Sequence, residues 1–112
     1  MKKLEIIFRP ERLEDLKEVL NNLGVKGMTV TTTLGCGNQK GFKEIYRGAV
    51  VNVNLLHKLK VEVIVNDDLV DELVKKVREK LVTGNIGDGK IFIYNVENAI
   101  RIRTGETGEA AI

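Results

Sequence analysis

A glycine-rich stretch near the carboxyl end of the chain contains residue types that bind phosphate. Counted from Gly84, the sequence GNIGDGK has the form G-x-x-x-x-G-K, which is a nucleotide-binding P-loop without its final Ser or Thr, the residue that holds magnesium. This chain has Ile91 there. A P-loop also lies between a strand and a helix, whereas these glycines follow a predicted helix and precede a predicted strand. The stretch is therefore not a P-loop.

A second glycine segment, GCGNQKG at residues 35–41, has the form G-x-G-x-x-x-G. It follows a predicted strand, but no helix comes after it, so it is not a dinucleotide-binding fingerprint. The two glycine segments nevertheless follow elements that run side by side in the predicted fold. Because glycine lets backbone N–H groups approach an anion closely, the two segments together could form one phosphate site.

Three cations accompany the GNIGDGK segment in the sequence. Lys90 offers a point charge that suits phosphate. Arg101 and Arg103 alternate in the sequence RIR, so both would project from the same side of a short predicted strand, Ala99 to Arg103. The alternative is that Gly87 and Gly89 only form a tight turn and that Lys90 is solvated, and the residue pattern leaves both interpretations open.

Composition favours one small domain and argues against several classes of partner. The chain has 112 residues, of which 43% are apolar and 4% aromatic, so its core must be aliphatic. The net charge is only +2, which gives no support for a nucleic-acid or membrane surface. The sequence KGFKEIY begins like an RNA-binding RNP1 motif but has Lys43 and Glu44 where a small residue and an aromatic are needed.

The reactive side chains are few. Cys36 is the single cysteine, so no disulfide can form within the chain and a reducing cytoplasm is expected. We expect Cys36 to be buried or half-buried rather than to act as a nucleophile. His57 has no second histidine or cysteine at metal-ligand spacing, so no metal site built from protein ligands is expected. No signal peptide and no membrane-spanning run is expected either.

Hydrophobic periodicity predicts alternating strands and helices. The predicted strands are Lys2–Phe8, Met28–Leu34, Lys58–Val65 and Lys90–Val96, and the predicted helices follow Pro10 and Asn66–Asp68. The polar residues of that last segment are expected to cap the second helix. Gly24 and Gly84 are expected to end the two helices.

This order is that of an α+β, ferredoxin-like βαββαβ sandwich, with a long loop or hairpin-like arm from Gly35 to about Leu55, between the second and third strands of the sheet. Both helices would lie on one face of an antiparallel sheet. We expect the other face to be aliphatic and to need a cover, which predicts self-association.

These motifs together identify a family resemblance. The chain resembles the PII nitrogen-regulatory signal-transduction proteins over essentially its whole length. The sequence TGNIGDGKIFIYNV is similar to the family's C-terminal signature, and IRIRTGE follows at the expected distance. The segments GMTVT, G-x-G-x-QKG and YRGA fall in register as well.

The resemblance implies a single domain of residues 1–112 that forms a homotrimer, with ATP or ADP in clefts between subunits. It implies that 2-oxoglutarate binds beside Mg-ATP and that an arm, the T-loop at about residues 36–55, docks on target proteins. Those targets would be an ammonium transporter, glutamine synthetase or a nitrogenase-related protein. The protein would be cytoplasmic, would meet a membrane only through a channel partner and would bind no nucleic acid.

The resemblance also assigns residues. Nucleotide contacts would be made by Thr29, Gly37, Asn38, Ile64, Gly87, Asp88, Gly89, Lys90, Arg101 and Arg103. Gln39 would hold Mg²⁺ and, with Lys58, 2-oxoglutarate. The T-loop surface that meets partners would include Glu44, Tyr46 and Arg47.

Three positions depart from the family pattern. Many members have an arginine where this chain has Asn38, many bacterial members a uridylylated tyrosine where it has Val51, and others a phosphorylated serine where it has Ala49. Since neither acceptor residue is present, we expect no uridylylation. We also expect a sensor rather than an enzyme, because no paired carboxylate and base is found near the GDGK segment. The alternatives are a small ATPase and a structural trimer that serves only as an interaction module.

Overall fold

The computed structural model describes residues 1–36, 42–46, 49–53 and 55–112. Its strands and α-helices are β1 (Lys2–Phe8), α1 (Leu13–Asn22), β2 (Thr29–Gly35), β3 (Phe42–Tyr46), β4 (Ala49–Val53), β5 (Leu56–Val65), α2 (Val70–Leu81) and β6 (Gly89–Asn95). Short 3₁₀ helices lie at Pro10–Arg12, Asp67–Leu69 and Gly108–Ala111.

The main sheet has the strand order β2-β5-β1-β6, and every neighbouring pair is antiparallel. Strands β3 and β4 form a separate antiparallel hairpin between β2 and β5, with Phe42 paired to Val53 and Tyr46 to Ala49. The predicted ferredoxin-like α+β fold, with an arm between the second and third strands of the sheet, is confirmed.

The core lies between one face of the sheet and the two helices. Alternate residues of β1 and β5 are buried there, as the period of a strand requires, and they meet the apolar stripes of α1 and α2. Apart from Phe8 the core is aliphatic, as the composition predicts: Leu4, Ile6, Phe8, Leu16, Val19, Leu20, Val61, Val63, Val65, Leu73, Val77 and Leu81. Full burial of one such side chain stabilises the fold by about 1.5–3 kcal/mol.

The helix ends agree with the predictions only in part. Gly24 has φ of 73°, its N–H donates to the Asn21 carbonyl, and the next N–H, of Val25, donates to the Leu20 carbonyl. This is a Schellman cap, as expected for α1. The expected caps of α2 are wrong. The Asn66 side chain makes no capping bond, and α2 ends at an extended Val82 rather than at a left-handed glycine.

The second face of the sheet is not aliphatic, so that expectation is wrong. Polar residues that alternate with the buried ones of β1 and β5 project to this face. Lys3 lies 3.5 Å from Glu62, and Lys60 lies 3.8 Å from both Glu5 and Glu62. The Tyr94 hydroxyl donates to Glu5 at 2.9 Å. Apolar surface on this face consequently gives little reason for self-association.

The predicted final strand, Ala99 to Arg103, is also wrong. The chain makes only an isolated antiparallel bridge there, between Ile100 and Thr107, and residues 102–104 form a turn. The Arg101 N–H donates to the Glu106 carbonyl, and the Gly105 N–H donates to the Arg101 carbonyl. These local bonds close the segment on itself, so Arg101 and Arg103 do not share one side of a strand.

Candidate functional site

The GDGK segment forms a tight loop whose backbone requires glycine. Gly87 has φ of 103° and Gly89 has φ of 114°, conformations that side chains rarely adopt. Gly89 also opens β6, where it pairs with Phe8 of β1. We call residues Gly87–Lys90 the cradle. Its last member, Lys90, is exposed and pairs with Ile7.

Asp88 holds this loop together from the inside. Its carboxylate accepts hydrogen bonds from the backbone N–H groups of Thr83 at 2.8 Å and Gly84 at 3.0 Å, and from the Thr83 hydroxyl. The Arg9 guanidinium lies 3.6 Å away. The Thr83 side chain, the backbone donors and the Arg9 charge hold the pKa of Asp88 below its ordinary value of 3.8. The carboxylate is therefore charged at neutral pH and is engaged within the loop.

Two cations hold consecutive carbonyl groups of the same loop. Arg9 donates from Nη2 to the Ile86 carbonyl oxygen at 2.8 Å, and Lys58 donates from Nζ to the Gly87 carbonyl oxygen at 2.8 Å. Partial burial first, and then the positive charge of Arg9, lower the pKa of Lys58 from its usual value. A carboxylate ligand beside Lys58 would offset the positive charges of Lys58 and Arg9.

Lys58 also links the cradle to the first glycine segment. It pairs with Thr33 of β2, and a Cβ atom built on Gly35 would lie 3.6 Å from the Lys58 Cγ. The end of β2 thus reaches the same end of the sheet as Gly87. We call this end of the molecule the cradle end.

Thr29 and Ile64 lie elsewhere, beside a cavity of about 760 Å³. Ile64 pairs with Lys3 of β1, whereas the cradle pairs with Phe8. Five residues along a strand correspond to about 17 Å. The residues predicted to meet the adenine and those predicted to meet the phosphates therefore stand at opposite ends of the sheet.

The predicted arginine pair lies away from its own cradle too. Strand β6 runs from Gly89 to Asn95 and so leads about 20 Å from the cradle before the arginines are reached. The last residues, Ala111 and Ile112, line the cavity beside Thr29. Arg101 Nη1 instead lies 3.2 Å from a Glu106 carboxylate oxygen. One copy of the chain does not bring all its predicted nucleotide residues together.

Several predicted residues fall outside what the structure describes: Gly37, Asn38, Gln39 and Arg47. Glu44 and Tyr46 lie on the described backbone of β3. Cys36 is exposed rather than buried, which corrects that expectation. Within the described ranges no group of three or more His, Cys, Asp or Glu side chains is placed to hold a metal ion, and no helix found there could span a membrane.

Arg9 is the residue that sequence reasoning missed. It lies 77 positions from the carbonyl that it holds, and no local motif marks such a contact. The available signal was a cation directly before Pro10 at the end of a strand, where a side chain can reach the loop that begins the adjacent strand.

Comparison with known proteins gives a consistent result. The sequence profile of the family described as "Nitrogen regulatory protein P-II" matches residues 1–106. The chain is 53% identical over 112 residues to a nitrogen regulatory protein P-II of Haemophilus influenzae. It is 50% identical over 112 residues to the nitrogen regulatory protein P-II 1 of Escherichia coli K12. Both matches cover 100% of each sequence.

A solved structure agrees with these relatives. The fold is similar to that of GlnK from B. subtilis, with a TM-score of 0.81 and 42% identity, over 99% of this chain and 97% of that one. Since the family profile, the full-length relatives and the structural neighbour all coincide with the fold described above, this chain belongs to the nitrogen regulatory protein P-II family and is a signal-transduction regulator of the PII type.

Proposed function

We propose that this chain is a non-enzymatic sensor of nitrogen, carbon and energy status. ATP or ADP binds at the cradle, 2-oxoglutarate binds beside it in the presence of Mg-ATP, and the T-loop carries the result to a target. The targets that the resemblance suggests are an ammonium transporter, glutamine synthetase or a nitrogenase-related protein.

One contact carries the proposal, the 2.8 Å hydrogen bond from Lys58 to the Gly87 carbonyl. The resemblance assigns Lys58 to a carboxylate of 2-oxoglutarate and Gly87 to the nucleotide phosphates. A direct bond between the two residues means that a ligand at either site changes the environment of the other. This is the physical requirement for reciprocal coupling between effector and nucleotide.

The residue types and conformation of the cradle support phosphate binding. Two carbonyl groups of the loop are held from behind by Arg9 and Lys58, while Lys90 remains exposed to offset negative charge. Because glycine has no side chain, Gly87 and Gly89 would let an anion approach the backbone of the loop closely. Mg²⁺ is a hard cation that prefers oxygen ligands, which ATP, the α-keto acid and the amide oxygen of Gln39 would supply.

The nucleotide site requires more than one copy of the chain. Thr29 and Ile64 stand about 17 Å along the sheet from the cradle, and β6 leads away from the cradle before Arg101 is reached. A neighbouring copy would place its own half beside the first cradle. We therefore infer that assembly of the homotrimer is required for nucleotide binding.

Titration calorimetry tests this function. ATP and ADP should compete for one class of site, and 2-oxoglutarate should give binding heat only when Mg-ATP is present. Tight 2-oxoglutarate binding without nucleotide would contradict the scheme. Absence of nucleotide binding would favour the structural-trimer alternative, and rapid phosphate release from Mg-ATP would favour the ATPase alternative.

A further inference from the structure

The cavity beside Thr29 and Ile64 contains a polar atom that has no hydrogen-bond partner. Asn66 lines this cavity of about 760 Å³, and its side-chain oxygen Oδ1 is shielded from solvent and accepts no hydrogen bond. Buried polar atoms of folded proteins nearly always have a partner. An orphaned acceptor in the wall of a cavity of ligand size therefore points to a ligand as the missing partner.

The chain places Asn66 on the same face of the sheet as the residues predicted to meet the adenine. Alternate residues of a strand share one face, so Glu62 and Ile64 of β5 project together, and Thr29 joins them because it pairs with Glu62. Asn66 comes directly after β5 with φ of −69° and ψ of 151°, an extended conformation that continues the alternation. Its side chain therefore projects to the same side as that of Ile64.

The charge of the cavity wall favours the base of a nucleotide over its phosphates. The wall includes three carboxylates, of Glu62, Asp68 and Glu109, and one ammonium group, of Lys26. An excess of negative charge repels phosphate oxygens and attracts N–H donors. The group that fits this cavity is therefore an uncharged ring that carries N–H donors.

The amide of asparagine matches one edge of adenine. An asparagine side chain offers an acceptor and a donor side by side, and adenine offers its exocyclic amino group beside a ring-nitrogen acceptor. Rotation about the last side-chain bond of asparagine is soft, so Oδ1 can turn toward the cavity. Because this oxygen has no water to give up, the new hydrogen bond costs it little desolvation.

On the basis of the proposed function, we propose that Asn66 accepts a hydrogen bond from the exocyclic amino group of the bound adenine. Asn66 is then a residue that determines specificity for adenine nucleotides. It acts at the opposite end of the sheet from the cradle, which binds the phosphates.

A chemical double-mutant cycle tests this contact. ATP and purine ribonucleoside triphosphate, which lacks only the exocyclic amino group, are titrated by calorimetry into wild type, Asn66→Ala and the control Asn22→Ala, which changes an exposed asparagine on α1. Loss of the amino group should weaken binding about fivefold more in wild type and in the control than in Asn66→Ala. An equal penalty in all three proteins would overturn the proposal.

Asn66→Asp provides a variant of nearly the same shape. Its carboxylate keeps acceptor oxygens but has no amide donor, so the penalty for losing the amino group should persist in Asn66→Asp and disappear in Asn66→Ala. Because the Asn66 side chain makes no capping bond, both variants should fold, which far-ultraviolet circular dichroism checks. A merely structural role would weaken both nucleotides alike and leave the penalty unchanged, contrary to the proposal.

The outcomes separate this inference from the proposed function. Wild-type protein that binds ATP, together with an unchanged penalty in Asn66→Ala, would refute the contact of Asn66 with adenine and leave the nucleotide sensor intact. Wild-type protein that binds no nucleotide would refute the sensor and the inference together.

Discussion

At Gly89 the backbone of the cradle lies directly against the backbone of β1. Its φ of 114° favours glycine. A Cβ atom built there would overlap the Ile7 carbonyl oxygen, and it would lie 2.9 Å from the Ile7 carbonyl carbon and 3.0 Å from the Phe8 Cα. These are backbone atoms of β1, which cannot rotate away. Gly89→Ala should therefore force β6 away from β1.

Gly84→Ala is the matched control. Gly84 also has a positive φ, 85°, but a Cβ atom there would have no neighbour within 4 Å. We expect Gly84→Ala to lower the free energy of unfolding by about 1–2 kcal/mol, the cost of a left-handed conformation for alanine. Gly89→Ala has a comparable cost plus overpacking of about 1–3 kcal/mol, so its total should be about 2–5 kcal/mol.

Urea denaturation followed by far-ultraviolet circular dichroism would measure the two losses. Both variants and the wild type should be compared at one protein concentration, because assembly contributes to apparent stability. ATP affinity should fall further in Gly89→Ala than in Gly84→Ala, since only the former displaces the start of β6. Equal losses of stability in the two variants would refute the close approach of the cradle to β1.

Three further predictions concern charge and modification. Because hydrogen bonds from Thr83 hold the pKa of Asp88 below 3.8, the stabilisation by this carboxylate is present above pH 3.8 and is lost as pH falls through the lower folded-state value. The stability difference between wild type and Asp88→Asn should therefore shrink in that acid range, and a constant difference in acid titrations would contradict it. Asn38→Arg should raise ATP affinity more than ADP affinity in calorimetry, because ATP has more charge at its outer phosphates; equal gains would mean that the position faces solvent. Since Val51 and Ala49 have no hydroxyl group, intact-mass spectrometry of protein from nitrogen-starved and nitrogen-replete cells should find no adduct on the T-loop, and a nucleotidyl or phosphoryl adduct between residues 35 and 55 would overturn that prediction.

Periodicity predicted the elements that bury one face. The α1 stripe, the alternation at the start of β5 and the glycine at position 24 all reflect local rules, because spacing of 3.6 or 2 residues and a left-handed cap depend on near neighbours. The core and the fold followed from these rules. The resemblance added what periodicity does not contain, the ligands and the residues that bind them.

The features that were predicted wrongly depend on contacts that sequence periodicity does not show. The sequence IRIR alternates like a strand, but a strand requires a partner, and the Arg101 and Glu106 groups bond to each other instead. The second sheet face was expected to be aliphatic, yet the register directs Lys60 and Glu62 to it.

The sequence suggested which residue types form the predicted site, but not how the fold arranges them. Glycine and lysine at the cradle could be recognised from the sequence. The hydrogen bond from Arg9 to the Ile86 carbonyl could not, because the two residues lie 77 positions apart. The separation of Thr29 from the cradle depends on sheet register, which a single sequence does not fix. Only the folded chain shows that the halves of the predicted nucleotide site lie apart.

The reciprocal coupling of ATP and 2-oxoglutarate through Lys58 tests the central claim most directly. Mg-ATP should be titrated into wild type, Lys58→Ala and the control Lys60→Ala, which removes a lysine two residues along the same face of β5, each with and without 2-oxoglutarate. We predict that 2-oxoglutarate raises ATP affinity in wild type and in Lys60→Ala, and that Lys58→Ala loses most of this gain. An equal gain in Lys58→Ala would contradict the account.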